Sequence, residues 1–349
     1  MTRLALVMIA RDEAGAIARA LESARPHVDC MIVLDTGSVD GTRAVAEACG
    51  AQVHEFAWCD DFAAARNAAL AHSDARWNLV LDADEWIESG AQALGPDTLP
   101  AEGGGFLGEV QIASRLDGAG AEGLGVAWIA RVLPAGVGYV GRIHEQPASD
   151  LPTVRLPLVI GHDGYTAANL ARKGARNETL LMRELAGAPE DPYLWFQLAK
   201  EHQARGRSPQ AALCFVEALR LAPADVRYRH ALVVRAMIAL KADHRLADAL
   251  ALADAEVAHW LDSPDFYFVV GDLSLEAASQ QPDRAMDHFL PVAESAWKRC
   301  LEIGERPELD GSIAGRGSHL AAHNLAVFYG TLGLTAEAAE YEALAARLG

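Results

Sequence analysis

Residues 77–85 read WNLVLDADE, Trp77 to Glu85, and the reading of this stretch decides the rest. Trp77 to Leu81, apolar but for Asn78, reads as a strand that stops abruptly at Asp82-Ala83-Asp84-Glu85. Two carboxylates two residues apart at an extended chain end point to the same side. Such a cluster is costly at the end of a buried strand unless a cation or a cationic partner neutralises it. A hard divalent ion, Mg2+ or Mn2+, held by one or two carboxylates and substrate phosphates meets that need; an acidic surface loop is the plain alternative.

Working outward, Leu4 to Ile9 is a second unalternating apolar run, followed by a short helix over 17–24 and a strand at 31–34 ending on Asp35. A helix over 42–49, with Thr42 as its cap, a strand at 52–56 and an Ala-rich helix over 61–71 complete the approach to Trp77. This alternation predicts a mostly parallel sheet with helices on both faces, whose ligands gather beyond the carboxyl ends of the strands. Arg11 to Glu13, Asp35 to Asp40 and Asp82 to Glu85 all fall there. Further strands are expected at 106–112, 126–133 and 154–160, the last two as a pair, with a glycine-rich turn region from Gly136 to Glu145 between them.

Beyond Tyr165 the pattern turns helical. Residues 193–223 read as an antiparallel helix pair turning near Gly206, with Trp195, Leu198, Ala199, Ala211, Phe215, Ala218 and Pro223 at the positions of a 34-residue tetratricopeptide repeat. Any amphipathic hairpin would share part of this pattern. Leu325, Ala326, Tyr329, Gly333 and Ala338 fit one more unit. The expected organisation is an α/β domain over 1–165 and a helical linker with a repeat domain over 166–349.

The chain has 349 residues with 30 Lys+Arg against 48 Asp+Glu, a formal charge of -18, which argues against nucleic acid or anionic lipid as partner. The acid excess concentrates in the first half: 11 basic and 23 acidic residues through 165, against 19 and 25 after it. Five scattered cysteines form no C-x-x-C pair and read as reduced, mostly buried thiols. The seven-residue apolar run after Arg3 is too short to span a bilayer and lacks a signal-peptide pattern, so a cytoplasmic location and no transmembrane segment are expected.

Individual residues leave alternatives open. The loop DTGSVDGT from Asp35 suits a turn and helix cap, yet Asp35 also stands where it can accept hydrogen bonds from a base or ribose. Arg66, with Asn67, can pair with phosphates or with the acidic loop. His144-Glu145 and His162-Asp163 sit among glycines and by themselves specify no reaction.

Taken together, MIARDEAG, VLDTGSVDGT, WCDDFAAARN and LDADEW resemble, in order and spacing, the successive blocks of family 2 glycosyltransferases of the GT-A fold. The later RVLPAGVGYVGRIHEQ, IGHDGYT and ARKGARNETLLMRELAGAPEDPYLWFQLA are similar to the bacterial branch that carries tetratricopeptide repeats. The resemblance implies inverting, metal-dependent transfer from a nucleotide sugar, commonly a UDP-sugar. It puts Arg11 and Glu13 at the nucleotide, Asp35 at the base, Arg66 in the cation-bearing block, Asp82 near ribose and metal, Asp84 on the metal and His162 completing the metal shell. The family's Glu-Asp pair is His144-Glu145 here, a departure that leaves Glu145 as first choice for general base, His144 as rival and Asp163 behind both. A peptide, protein or glycan acceptor and association through the repeats into a homo-oligomer are compatible with this reading. A scaffold with an inactive front domain, or nucleotidyl transfer on the same fold, are the competing readings.

Overall fold

Leu4 to Ala10 forms β1, and its two faces go to two different cores. Leu4, Leu6, Met8 and Ala10 pack with Ile17, Leu21 and Trp77, while Ala5 and Val7 pack with Ile32, Leu34 and Ala69. Burial on both sides is why the run shows no alternation. The computed structural model describes residues 2–100, 104–116, 123–163 and 167–349. The expected boundary at 165 and 166, and the last three residues of the IGHDGYT block, lie outside them.

The chain divides into two compact units, Met1–Glu122 with Ala127–Leu180, and Gly123–Val126 with Leu181–Gly349. In the first, β1 is followed by α1 (Ile17–Ala24), β2 (Cys30–Asp35), α2 (Thr42–Ala48), β3 (Gln52–Glu55), α3 (Phe62–Leu70) and β4 (Trp77–Val80). Then come β5 (Glu85–Ser89), β6 (Leu107–Leu116), β7 (Gly123–Pro134), the short β8 (Tyr139–Val140) and β9 (Gln146–Pro147), and β10 (Thr153–His162). The large sheet runs β3-β2-β1-β4-β7-β6-β10-β5.

Its first four strands are parallel, as the alternation of strand and helix requires. The rest is mixed: β7 runs antiparallel to β4, β10 parallel to β6 and antiparallel to β5. The expected mostly parallel sheet therefore holds only for one half. The reason lies in the stretch quoted first, because the chain reverses at Asp82–Glu85 and leaves as β5, a strand the acidic composition concealed. The expected pairing of the strands at 126–133 and 154–160 is also corrected, since β6 lies between β7 and β10. Gly161 stands opposite Trp86, and a Cβ there would lie 2.3 Å from the indole, so only glycine lets β5 close against β10.

The second unit is built of paired helices: α4 (Ala167–Gly187) leads in, followed by α5 (Pro192–Ala204), α6 (Ser208–Leu221), α7 (Arg229–Ala242) and α8 (Leu246–Glu256). After these come α9 (Pro264–Gln280), a single turn α10 (Pro282–Arg284), α11 (Leu290–Ile303), α12 (His319–Thr331) and α13 (Thr335–Leu348). Asp191 caps α5 by accepting from the amides of Tyr193 and Leu194, and Pro192 occupies the first turn, where its missing N–H is harmless. Gly206, at φ 67°, makes the hairpin turn, and Phe215 of α6 is fully buried near Phe196, which stacks on Tyr228. Gly333, at φ 76°, serves the same purpose between α12 and α13. The fold is thus a GT-A-like α/β unit followed by a run of paired helices of tetratricopeptide type. No helix among the described residues is long and apolar enough to cross a membrane.

All five cysteines are free, but only Cys214 and Cys300 are buried; Cys30 and Cys49 are half-buried and Cys59 is exposed, so the expectation of mostly buried thiols is corrected. Burial pushes the Cys214 thiol up to about 11, and burial followed by Asp265 raises that of Cys300. A thiol raised this far stays protonated and unreactive near neutrality. At pH 8, iodoacetamide should label Cys59 in the native protein and Cys214 and Cys300 only after unfolding, with native labelling of Cys214 rising as pH approaches 11. Peptide mass spectrometry reads this out, and equal labelling of Cys59 and Cys214 at pH 8 would contradict the packing of α6.

Candidate active site

The loops after β1 and β2 are knitted into one surface by short polar side chains. Ala10 pairs with Asp35 in register, and beyond them the Asp12 amide donates to Ser38 Oγ at 3.0 Å while Val39 N–H donates to Asp12 Oδ1 at 2.9 Å. The Glu13 amide reaches Thr42 Oγ1 at 2.7 Å and that of Ala14 reaches Asp40 Oδ2 at 3.2 Å. Thr42 is therefore not the cap expected of it. It is the first residue of α2, and its hydroxyl accepts from the neighbouring loop. These bonds fix the backbone that carries Arg11 and Glu13; the Arg11 side chain is exposed, 4.0 Å from Asp12.

Asp35 is 2% exposed. Its Oδ1 accepts from the amides of Gly37 and Ser38, both at 2.7 Å, in a turn that Gly37 permits by adopting φ 104°. Its Oδ2 is buried without a hydrogen-bond partner, with Arg43 Nε at 3.9 Å. A buried carboxylate oxygen lacking a donor is rare, and marks a place where a ligand N–H or O–H can supply one.

Asp82 occupies the centre. Its Oδ1 accepts from Arg66 Nη2 at 2.7 Å and its Oδ2 from Arg131 Nη2 at 2.8 Å. Arg66 also donates through Nε to Glu145, and Arg131 to Glu85 at 2.5 Å. Three carboxylates thus share two guanidiniums, whose side chains are 7% and 8% exposed. Burial pulls the Arg66 guanidinium down, but Asp82 and then Glu145 overcome it and hold it well above its ordinary range. Glu85 shows the opposite balance, raised by burial and by Asp82 against the pull of Arg131. Tyr139, beneath Arg66, is pushed up to about 12 by burial.

The helix α3 aims Arg66 and also fixes the loop bearing Glu145. Asp61 caps it through Oδ1, Asn67 pairs with both backbone groups of Tyr139 at 2.7 and 2.9 Å, and the Phe62 amide donates to Arg142 O at 2.8 Å. His144, one residue before Glu145, adopts φ 51°, an uncommon conformation for a residue with a side chain.

Asp82 and Asp84 do not project together from an extended end. The Glu85 amide closes a turn on Asp82 O at 3.0 Å, and Glu85 Oε2 accepts from the Asp82 amide at 2.9 Å. This turn directs the Asp84 carboxylate to His162, with Oδ2 3.7 Å from Nε2, while Ser114 Oγ lies 3.0 Å from His162 Nδ1. His162 stands opposite both Glu85 and Ser114 in the sheet, which brings its ring beside the acidic turn. Asp163 points elsewhere, to Arg19 Nη2 at 2.5 Å, and the Arg19 guanidinium lies 3.6 Å from the centroid of the Trp86 ring.

No group of three or more His, Cys, Asp or Glu among the described residues is arranged to hold a metal. The Asp84–His162 pair nevertheless suits two neighbouring ligands of one ion, since donor atoms bound at about 2.1 Å stand roughly 3–4 Å apart. Ser114 supplies the outer hydrogen bond that orients a ligating imidazole. Substrate phosphates and water would complete such a shell.

Residues 5–92 match the model of glycosyl transferase family 2. The match falls within the front unit, whose fold is GT-A-like. Two curated relatives are similar to part of the chain. A TPR repeat-containing protein of Synechococcus elongatus is 47% identical over 105 residues, 28% of this chain and 26% of that protein. An uncharacterized glycosyltransferase of Rickettsia felis is 35% identical over 92 residues, 26% of this chain and 32% of that one. The chain therefore spans about a quarter to a third of the length of these relatives. Among solved structures, similarity extends to glucosyl-3-phosphoglycerate synthase of Mycobacterium tuberculosis in complex with Mn2+ and UDP-glucose, at 26% identity and TM-score 0.27, covering 33% of this chain and 44% of that one. It extends also to MamA of Desulfovibrio magneticus, at 17% identity and TM-score 0.39, covering 52% and 89%.

In this GT-A-like unit the structure brings Arg66, Asp82 and Glu145 onto one guanidinium and sets Asp84 against His162. Sequence reading missed Arg131, Glu85, Tyr139 and Ser114. Glu85 stood inside WNLVLDADE, and Arg131 and Tyr139 inside the block RVLPAGVGYVGRIHEQ, but nothing local to these residues gave them a role. Removing one partner of a buried ion pair costs about 3–5 kcal/mol, while an exposed pair is worth at most about 1 kcal/mol. Arg131→Met should therefore destabilise the protein several-fold more than Arg19→Met in urea unfolding followed by circular dichroism. Equal losses would show that Arg131 is not what neutralises the turn.

Proposed function

We propose that this chain is an inverting glycosyltransferase that moves a sugar from a nucleoside diphosphate sugar, uridine-linked in the reading its sequence blocks imply, to a peptide, protein or glycan acceptor. The observation that carries the reading is the convergence of two distant blocks on Arg66: Asp82 from the end of β4 and Glu145 from the loop between β8 and β9. This convergence supports reading Asp82 as the donor-facing carboxylate and Glu145 as the base, since both lie within reach of one guanidinium.

In this mechanism the unpartnered Oδ2 of Asp35 accepts a hydrogen bond from the base of the nucleotide, and the loop of Arg11 and Glu13 lies beside it. Asp84 and His162 would hold a divalent ion, Mn2+ or Mg2+, and Asp82, oriented by its two arginines, would face the ribose. When bound, the ion offsets the negative charge that grows on the departing diphosphate. Glu145 takes the proton of the acceptor nucleophile as that atom bonds to the anomeric carbon and the bond to the diphosphate oxygen breaks on the opposite face. His144 is the rival for this proton, and Asp163, held by Arg19, stands behind both. Stabilisation of this kind acts on charge that develops only in the transition state, which is where it raises the rate. The helical unit offers helix faces on which a peptide or protein acceptor can lie.

The test is a panel of nucleotide sugars with and without Mg2+ or Mn2+, followed for nucleoside diphosphate release and for labelled sugar in acceptors. Asp84→Asn should lower turnover by about 100-fold or more with little loss of stability, in line with removal of a group that stabilises transition-state charge. Glu145→Gln should still bind donor but fail in transfer. Full activity in both variants would remove the mechanism, and incorporation of the nucleotide itself into product would move the chain to nucleotidyl transfer.

A further inference from the structure

We propose that Arg66 parks Glu145 out of action and that the donor's diphosphate, by taking the same guanidinium, releases it to serve as base. The inference deepens the glycosyltransferase reading and rests on it.

Arg66 is the meeting point of two anions. Its Nη2 holds Asp82 at 2.7 Å, its Nε holds Glu145, and its Nη1 is buried with no hydrogen-bond partner. A planar guanidinium is built to grip an anion through two parallel N–H bonds, and Arg66 satisfies Glu145 through one. The cluster is also short of positive charge, with Asp82, Glu85 and Glu145 set against Arg66 and Arg131. Asp82 is the better anchored of the two partners of Arg66, because Arg131 holds its second oxygen. Glu145 is therefore the one that can be displaced.

A carboxylate spent on a buried ion pair is a poor proton acceptor, since protonation would forfeit the pair. A diphosphate entering beside Asp82 offers Arg66 a denser anion, whose oxygens can take the Nε–H now given to Glu145. Glu145 then loses its partner and turns to the acceptor, on a loop where Gly141 at φ 92° and His144 at φ 51° already hold unusual backbone conformations. The exchange swaps ion pairs and moves no proton. Its consequence is order: the base becomes available only after the donor has arrived, so Arg66 acts as a positioning residue for Glu145.

Competition of this kind predicts that removing the charge of Glu145 tightens binding of the donor's diphosphate. Calorimetry on the full chain with Mn2+ would compare UDP, GDP and ADP, and the matching nucleosides, on wild type and Glu145→Gln. We expect the diphosphate that binds to do so about 5- to 30-fold more tightly in Glu145→Gln, the factor for an interaction of one or two kcal/mol, and its nucleoside to bind both proteins alike. In an Arg66→Met background the gain should vanish, which separates competition at Arg66 from a general loss of negative charge. Equal diphosphate affinity in wild type and Glu145→Gln would overturn the inference, as would a gain that persists without Arg66. If Arg66→Met fails to fold, Arg66→Lys, which keeps the charge but lacks the Nε–H that Glu145 and the diphosphate would share, takes its place, and a gain undiminished in that background overturns the inference. No binding of any nucleoside diphosphate to either protein would instead sink the glycosyltransferase reading itself.

Discussion

The carboxylate of Asp82, with one oxygen on Arg66 and the other on Arg131, is the interaction on which the front unit turns. It ties three pieces of chain that are far apart in sequence: the end of β4, the helix α3 and the antiparallel strand β7. Each of those arginines then reaches a second carboxylate, so the pair organises Glu85 and Glu145 as well. A buried carboxylate without such partners would take up a proton or leave the interior. The turn at Asp82–Glu85 is possible because its charge is answered by side chains from elsewhere.

That constraint shapes the architecture around it. Reversal at the acidic turn sends the chain back as β5, which can reach the far edge of the sheet only because Gly161 leaves room for Trp86. With β5 against β10, His162 comes beside Glu85, and Asp84 finds the imidazole. On the other side, the loops after β1 and β2 satisfy each other's amides through Asp12, Ser38, Asp40 and Thr42. Asp35 emerges from this network with one oxygen filled and one left over. Most polar groups here are thus paired, and among the buried atoms left without a hydrogen bond, Asp35 Oδ2 and Arg66 Nη1, with Arg131 Nε and the Tyr139 hydroxyl, lie where the sequence blocks converge.

Much of this was legible before any coordinates. The helix over 17–24, the strands β1 to β4 and the turn at Gly206 follow from local pattern, because burial on both faces of a strand and one face of a helix leaves its mark on neighbouring residues. The acidic run needs a cation or a cationic partner, which its composition alone makes plain, and at Asp82 two arginines fill that need where a divalent ion was the first expectation. Arg66 was singled out, with a salt bridge among its alternatives, whereas Arg131 opened a quoted block without being given a role: a single arginine in a strand says nothing of what lies across the sheet. The pairing of β7 with β10 failed for the same reason, since strand order is a property of contacts and not of composition.

The sequence by itself determined the materials: a strand that stops at an acidic turn, a loop of short polar residues after β2, and helix pairs with small and large residues in tetratricopeptide spacing. These are set by properties within a few residues of one another, namely periodicity, turn chemistry and capping. Only the tertiary structure decided which charges meet. Asp82 finds Arg131 across 49 residues and Glu145 finds Arg66 across 79, distances over which no local preference acts. Such pairs are selected by the cost of leaving a buried charge alone, a cost that exists only once the chain has folded around it.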